Sequence, residues 1–483
     1  MNYHRRVKKE VVKMTEQVQF DTVPGSIRVP GRYIEFNTRT AVRGLPTNPQ
    51  KMLLIAPMLP TGTQPPLTPI SLFSDAEAAD LFGVGSWAHR CVTQAFTNNK
   101  YLDLTVIGVA DADAGVAATA GVTLTGTASG VGVATVAIGG TDYQVAVASG
   151  ENAAAIAGRL ANVINVPDAL VTAVANEGQI KLTAKNKGTI GNEIAITARI
   201  TASDVVATVT AFKDGDVNAD ISPALDRVAG KRYHIICNVY ADNKNAKALA
   251  DHVNSVSNAI EKRGCIGVMG WRGTLASGTT FAGQLNDGRI TIAWYKNAIE
   301  SNAIIAAGYA AVLAFEEDPA KPLNTLEIKG LTVTSDADWP LFAEFNNALY
   351  NGLTPLQVVT NKVQIMRAVS TYTKNATGTD DPALLDITTI RTLDYVRDAI
   401  NQRIALRFPR DKLSDKTPRR VRSEILDVLN QCEDAEILEA VMSNKENLIV
   451  QRNGSDPNRL DAVIPADVVN GLHVFAGRVD LYL

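Results

Sequence analysis

The segment Arg232-Tyr-His-Ile-Ile-Cys-Asn-Val-Tyr240 has the continuous apolar centre that is typical of a strand buried on both faces. Apolar residues follow it at spacings of four, three and four, which predicts one face of a helix. These residues are Leu249, Val253, Val256 and Ile260. Gly264 stands where a helix C-terminal glycine belongs, and Cys265-Ile-Gly-Val-Met269 predicts the next strand. Together they predict a βαβ unit with parallel strands.

The pattern continues on the C-terminal side of this unit. Arg289–Tyr295 predicts another strand and Ala303–Phe315 another apolar helix, which makes the region an α/β domain. A long helix is expected over Ile387–Phe408. Thr417-Pro418 predicts an N-cap followed by proline at the first helical position. Short strands are expected at the end of the chain, in 447–451, 460–464 and 471–483.

Residues 111–210 differ from both flanks in composition. They contain 23 alanines, one aromatic residue (Tyr143) and one proline (Pro167), in short β-type runs punctuated by glycine and asparagine. One segment, around Ala154–Ile164, has helical spacing. The composition therefore predicts a β-rich inserted domain with a single helix.

The whole-chain composition narrows the classes of function. At ~150 residues per domain, 483 residues predict about three domains. Lys+Arg 47 against Asp+Glu 50 gives a net charge of -3, whereas a dedicated nucleic-acid binder needs a basic surface. No stretch approaches the ~20 apolar residues of a membrane span. The basic segment before Met14 is not followed by the apolar run of a signal peptide, so we expect no secretion by that route.

No residue pattern points to catalysis or to a metal site. The four cysteines (Cys91, Cys237, Cys265, Cys432) are far apart, and we expect reduced, mostly buried thiols. Asp226, His252 and Ser277 have the order of a catalytic triad, but the glycine-rich context of a nucleophile is missing. We therefore expect His252 to be an exposed helix residue and Ser277 a helix N-cap, with no catalytic residues, metal or cofactor.

The strongest charge cluster is basic. It comprises Arg407, Arg410, Lys412, Lys416, Arg419, Arg420 and Arg422. A solvated helix end is the simplest interpretation. Because part of the cluster opens a helix, where the helix dipole disfavours cations, an acidic protein partner is the second.

Several motifs, in their order along the chain, resemble those of contractile-tail sheath proteins of Mu-like myophages. The N-terminal motifs are Val23-Pro-Gly-Ser-Ile-Arg-Val-Pro-Gly-Arg-Tyr-Ile-Glu-Phe-Asn37, Ser74-Asp-Ala-Glu-Ala-Ala79 and Phe82-Gly-Val-Gly-Ser86. The C-terminal motifs are Asn351-Gly-Leu-Thr-Pro355, Arg367-Ala-Val-Ser-Thr-Tyr-Thr373, the Asp386–Phe408 helix and Val421-Arg-Ser-Glu-Ile425. The resemblance extends over nearly the whole chain.

The resemblance implies a structural, late-expressed virion protein that is assembled in the host cytoplasm. Sheath subunits form stacked hexameric rings around a tail tube, with baseplate and tail terminator proteins. Contraction of the sheath drives the tube through the bacterial envelope for genome delivery. We expect neither nucleic acid nor a membrane as a partner. Its β-rich insertion lies on the outer surface, where deletion is expected to have little effect.

The implied fold class is mixed, α/β and α+β, and multidomain. The expected divisions are an N-terminal arm (1–22), an N-terminal sheath domain (23–110), a β-rich inserted domain (111–212), a subtilisin-like α/β domain without protease chemistry (213–355) and an α+β C-terminal domain (356–483).

The strand-like termini suggest how copies join. Val18 and Phe20 lie on one face of an alternating segment near the N-terminus. Val479, Leu481 and Leu483 alternate with polar residues at the C-terminus, which predicts a half-buried strand. We hypothesise that both termini are donated to neighbouring subunits. By resemblance the C-terminal domain lies against the tube, where Lys412, Lys416, Arg419, Arg420 and Arg422 would face an acidic surface.

Three alternatives remain open on the sequence alone. The chain could be the sheath of a tail-derived bacteriocin or of a secretion-type injector. It could be an α/β serine hydrolase. It could also be a monomeric protein whose inserted domain recognises a cell-wall ligand.

Overall fold

The computed structural model describes residues 29–32 and 44–482. Two compact units, Met1–Pro46 and Thr47–Leu483, can be distinguished. All the helices and strands described below belong to the second unit.

The strands, in chain order, are β1 (Lys51–Pro57), β2 (Ile70–Leu72), β3 (Asp103–Val109), β4 (Ala117–Gly126), β5 (Gly132–Ile138), β6 (Thr141–Val147), β7 (Val171–Asn176), β8 (Gln179–Lys187), β9 (Ile196–Ile200), β10 (Val205–Lys213), β11 (Ile235–Asn238), β12 (Ile266–Trp271), β13 (Ile290–Trp294), β14 (Thr354–Val359), β15 (Lys362–Ile365), β16 (Ile449–Arg452) and β17 (Leu460–Val463).

The α-helices are α1 (Asp75–Phe82), α2 (Trp87–Asn98), α3 (Ala153–Ile164), α4 (Ser222–Val228), α5 (Asn243–Ser257), α6 (Leu275–Leu285), α7 (Asn302–Phe315), α8 (Phe342–Tyr350), α9 (Ile387–Arg407) and α10 (Thr417–Asp434). Short 3-10 helices lie at Thr189–Glu193, Asp336–Asp338 and Lys445–Asn447.

An eight-stranded sheet is the largest sheet of the second unit, in the order β15-β14-β13-β12-β11-β1-β3-β2. The six inner strands are parallel, and the edge strands β2 and β15 are antiparallel. The predicted parallel pairing of β11 with β12 is confirmed. Strands from both the predicted 23–110 and 213–355 ranges belong to this sheet. The described residues 51–109 and 235–294 therefore contribute strands to one sheet.

Helix α7 is the most deeply buried helix against this sheet. Twelve of its fourteen residues are buried, many of them alanines, because it packs against α2 on one side and against β12 on the other. Small side chains let the backbones approach closely. The predicted apolar helix over Ala303–Phe315 is confirmed.

Gly264 has a different role from the one predicted. Helix α5 ends at Ser257 with Asn258 at its C-cap, so Gly264 does not terminate the helix. A Cβ atom at Gly264 would lie 2.4 Å from Cγ of Asp394 on α9. The glycine is needed because α9 passes so close to the start of β12.

The segment from β4 to β10 forms two antiparallel sheets, ordered β10-β4-β8-β7 and β6-β5-β9, with α3 packed against them. Gly139 and Gly140 join β5 to β6 with φ values of 56° and 85°. Glycine suits this two-residue hairpin because both positions need positive φ. The predicted β-rich composition with one α-helix is confirmed.

The C-terminal region contains two long helices and a hairpin. The helix predicted over Ile387–Phe408 is confirmed as α9, and the two short strands near 447–464 as β16 and β17. The cap prediction is wrong by one residue, because Lys416 precedes α10 and Thr417 already lies within it. Oγ1 of Thr417 donates instead to the Lys412 carbonyl at 2.7 Å.

The predicted C-terminal strand does not form within a single chain. Within 471–482 the chain forms no strand, and Val479 and Leu481 are fully exposed rather than half-buried. Leu483, Val18 and Phe20 lie outside the described residues. The alternating pattern therefore has no sheet partner within the described part of its own chain.

Candidate functional site

The residues with the order of a catalytic triad do not come together. Asp226 and His252 line a groove of about 670 Å³ between α4 and α5, and Ser277 is not among the described residues that line it. His252 is partly buried rather than exposed, and this burial lowers its pKa. Ser277 is not an N-cap, because Thr274 caps α6 and accepts the Ser277 N–H at 3.3 Å.

The cysteines are unsuited to nucleophilic chemistry. All four are free and buried. Burial raises the pKa of Cys265 and of Cys432 to about 11, and it raises the pKa of Cys91 and Cys237 further. The thiolate is therefore strongly disfavoured at neutral pH.

Within 29–32 and 44–482, no group of three or more His, Cys, Asp or Glu side chains is arranged to hold a metal ion. In the same part of the chain, no helix is both long and apolar enough to cross a bilayer.

The C-terminal arm, defined here as residues 474–482, is the most exposed apolar segment of the described chain. Phe475 is 88% exposed and Val479 is 98% exposed. Val474, Leu481 and Tyr482 are also largely exposed. The preceding residues follow the body, since the Glu439 N–H donates to the Asp467 carbonyl at 2.9 Å. A segment this apolar is unusual on a soluble surface and is typical of an interaction site.

The hairpin formed by β16 and β17 is a two-stranded sheet. Its strands are antiparallel, and in the described part of the chain each pairs with no other strand. Ile449 and Val463 are directly opposite each other and exposed. Because an isolated two-stranded sheet is marginally stable and has two free edges, this hairpin can accept additional strands.

The basic residues around the start of α10 divide into two groups. Lys412, Lys416 and Arg419 are exposed, and no described residue pairs with their side chains. Arg420 is exposed, pairs with Asp411 at 3.0 Å and lies over the ring of Phe408.

Arg422 is directed inward. It donates to the carbonyl oxygens of Leu448 at 2.8 Å and Lys445 at 2.7 Å, which fixes the start of the β16–β17 hairpin against α10. Of the five residues predicted to face the tube, Arg422 therefore has an internal structural contact.

The sequence did not identify the β16–β17 hairpin as an acceptor of strands. A partial signal was available, because two short strand segments surround Asn453-Gly454, a dipeptide typical of hairpin turns. The sequence also did not identify His473, whose ring lies against Asn324 and Asp386. The sequence signal for this contact is a single histidine at the start of an apolar terminal segment.

Known proteins resemble this chain in sequence and in fold. The chain matches the family model for the phage tail sheath protein central domain over residues 214–371, and the model for the phage tail sheath C-terminal domain over 379–482. It is 32% identical over 486 aligned positions to the Mu-like prophage FluMu tail sheath protein of Haemophilus influenzae. That alignment covers 96% of this chain and 100% of the relative.

Solved structures support the fold. A sheath tail protein of Desulfitobacterium hafniense matches with a TM-score of 0.52 at 13% identity, covering 92% of this chain and 97% of the other. A chain from the anti-feeding prophage baseplate matches with a TM-score of 0.52 at 10% identity, covering 95% and 100%.

These matches support the tail sheath interpretation rather than the serine hydrolase alternative, in line with the position of Ser277 away from the groove of His252. The two family models and the long alignment together extend over nearly the whole chain. The chain belongs to the phage tail sheath protein family and is a structural component of a contractile phage tail.

Proposed function

We propose that copies of this chain form stacked hexameric rings around a tail tube, and that contraction of this sleeve drives the tube through the bacterial envelope. Assembly takes place in the host cytoplasm, together with the baseplate and tail terminator proteins. The main support for the proposal is the exposure of the C-terminal arm, because its apolar side chains are not covered by any described residue of the same chain.

The arm and the β16–β17 hairpin are complementary in chemistry. The arm offers unpaired backbone groups and alternating apolar side chains at Val479 and Leu481. The hairpin offers free edges and the exposed apolar side chains of Ile449 and Val463. In this proposal, the arm of one copy adds a strand to the hairpin of a neighbour. Val18 and Phe20 of the N-terminal segment, and Leu483, are proposed to join the same inter-subunit sheet.

The energies favour assembly by many weak contacts. Burying each of the five large apolar side chains of the arm contributes about 1.5–3 kcal/mol. Ordering each of its nine residues costs about 1–2 kcal/mol. These terms nearly cancel, so one arm on one neighbour binds weakly. Each copy donates and receives strands, so a closed ring is stabilised by many such contacts at once.

The basic cluster at the start of α10 is proposed to face the tube. Lys412, Lys416 and Arg419 are exposed, and Arg420 keeps part of its guanidinium in solvent. An exposed ion pair contributes only about 0–1 kcal/mol, so each copy would hold an acidic tube surface weakly and release it during contraction. The internal contacts of Arg422 argue against a direct role at the tube.

Electron microscopy of the purified full chain tests the proposal. We expect rings or tubules from the wild-type protein. A chain that ends after His473 should remain folded, with an unchanged thermal midpoint, and should not polymerise. Lys181→Ala, at an exposed position of the inserted region, serves as the matched control. Normal tubules from the truncated chain would contradict the proposal.

A further inference from the structure

The C-terminal segment is fixed to the body up to His473 and leaves the body directly afterwards. Leu438 and Val468 form an isolated β-bridge, and the Val469 N–H donates to the Ile437 carbonyl at 3.3 Å. The next attachment is His473, whose side chain is only 14% exposed although its neighbours Leu472 and Val474 are largely exposed. In a segment of exposed residues, one inward-directed ring marks a specific attachment point.

The side chains of Asn324 and Asp386 contact the His473 ring. The Asn324 side-chain amide donates to Nδ1 of His473 at 2.9 Å, and Nε2 lies 3.5 Å from Oδ1 of Asp386. Asp386 is itself held by Arg367, with two hydrogen bonds of 2.8 Å. Burial, together with the positive charge of Arg367, lowers the pKa of His473, so the ring is neutral at pH 7 and Nδ1 can accept.

The backbone before the ring is also tightly placed. A Cβ atom at Gly471 would lie 2.7 Å from Cγ of Pro322 and 2.8 Å from Nε2 of His473. The chain can follow this path only with glycine at 471 or with a shift of these neighbours. The close approach of Gly471 to Pro322 and the contact of His473 with Asn324 thus hold the same short segment against the body.

We propose that His473 and Asn324 form an anchor that fixes the point where the C-terminal arm leaves the body, and that this anchor strengthens the contact between copies. The second half of this inference rests on the proposed function of the arm. Ten residues follow the anchor, which reach about 35 Å when extended. Without the anchor the free segment begins after Val469, and a longer, less directed arm has a lower effective concentration at its target.

Hydrogen exchange of the unassembled full chain tests the anchor itself. His473→Ala should speed amide exchange at Val469, whose N–H donates to the Ile437 carbonyl just before the anchor, with unchanged exchange in the central sheet. Gly471→Ala should act in the same direction, because the added methyl group displaces the segment from Pro322. His473→Gln, which retains an acceptor for Asn324, should restore slow exchange at least in part. Unchanged exchange in His473→Ala overturns the anchor.

The concentration at which sheath polymers form tests the link to assembly. His473→Ala should raise it by about 2- to 10-fold, as expected for one lost hydrogen bond and a looser arm. The assembly concentration of His473→Gln should lie closer to the wild-type value, and that of Lys181→Ala should equal the wild-type value. Faster exchange with an unchanged assembly concentration overturns the second half of the inference. If the wild-type chain does not polymerise, the proposed function fails, while the exchange result still decides whether the anchor exists.

Discussion

Glu193 caps helix α7 from a distant part of the chain: its Oε2 accepts the backbone N–H of Asn302 at 2.9 Å. Glu193 ends the short 3-10 helix between β8 and β9, in the inserted region. Ser301, the residue at the N-cap position of α7, makes no side-chain capping hydrogen bond among the described residues. Arg272 donates to the backbone carbonyl of Glu193 and holds it in place. The inserted region thus provides a cap that the sequence around α7 does not.

The cap predicts a specific pH dependence of stability. Burial raises the pKa of Glu193 to about 7, from an ordinary value of 4.5. Because the folded state binds this proton more tightly than the unfolded state, protonation of Glu193 stabilises the fold. This stabilisation is complete below pH 4.5 and is lost as the pH rises through 7. Glu193→Gln keeps an acceptor without a charge. Between pH 5 and 8, the free energy of unfolding of this variant should therefore fall by up to about 3 kcal/mol less than that of the wild type.

Urea unfolding at several pH values measures this difference in free energy of unfolding. Glu177→Gln, which changes an exposed carboxylate of the same region, is the matched control and should follow the wild type. The same pH slope in Glu193→Gln and in the wild type would show that Glu193 does not titrate in this range.

Two contacts at the base of the inserted region predict that deletion of this region destabilises the core. Nδ2 of Asn186 donates to the buried Met58 carbonyl at 2.9 Å, and Glu193 caps Asn302. A deletion of 117–215 leaves both backbone groups without these partners, at about 1–3 kcal/mol each. Val116 and Asp216 already form a bridge, so a short linker can join them without strain.

Thermal unfolding of this deletion variant should show a clearly lower midpoint than the full chain. The double substitution Asn186→Ala and Glu193→Ala in the full chain should reproduce much of the loss. An unchanged midpoint in the deletion variant would support the expectation from family resemblance that the insertion is dispensable.

A buried ion pair joins the central sheet to the C-terminal helices. Arg289, next to β13, donates to Asp394 on α9 through two hydrogen bonds of 2.6 and 3.0 Å, and both side chains are 12% exposed. Arg289→Met leaves the buried Asp394 carboxylate with Arg397 as its remaining cation. Breaking a buried pair in this way should cost about 3–5 kcal/mol.

A double-mutant cycle with Asp394→Leu measures the coupling. The double variant should lose less free energy of unfolding than the sum of the two single variants, because it removes the buried carboxylate together with Arg289 and leaves only the partly exposed Arg397 without this partner. Additive losses would show that the pair contributes no coupling.

The secondary structure could be predicted from the sequence where its signal is local. The βαβ unit and α9 follow from apolar periodicity, which depends on residues a few positions apart. Glu193 and Asn302 are 109 positions apart, and Arg289 and Asp394 are 105 apart. Such pairs leave no periodic pattern, so the sequence does not reveal them.

The sequence indicated which segments form the candidate site but not their partners, because these partners are distant in the sequence or belong to another chain. Alternation at Val479 and Leu481 indicates a segment suited to a sheet, but it does not indicate which chain supplies the neighbouring strand. Likewise, the basic run was visible, but the inward path of Arg422 depends on carbonyl groups of Lys445 and Leu448, more than twenty positions away. Similarly, the glycine at position 264 was visible in the sequence, but the close approach of Asp394 that requires it was not.

The two groups of basic residues near α10 predict opposite outcomes on substitution. Reversing the charge of Lys412, Lys416 and Arg419 to glutamate should change the free energy of unfolding by less than about 0.5 kcal/mol per site, because these side chains are exposed. Arg422→Ala should cost about 1–3 kcal/mol, since two carbonyl groups lose a charged donor.

Co-sedimentation with the cognate tail tube protein separates surface binding from stability. The triple reversal should lose tube binding and keep the wild-type thermal midpoint, whereas Arg422→Ala at a temperature where it is folded should still bind. Binding by the wild type should also weaken between 50 mM and 300 mM salt, because exposed charges are screened over a Debye length of about 10 Å at 0.1 M. Full tube binding by the triple variant, or binding that is insensitive to salt, would move the tube contact away from this end of α10.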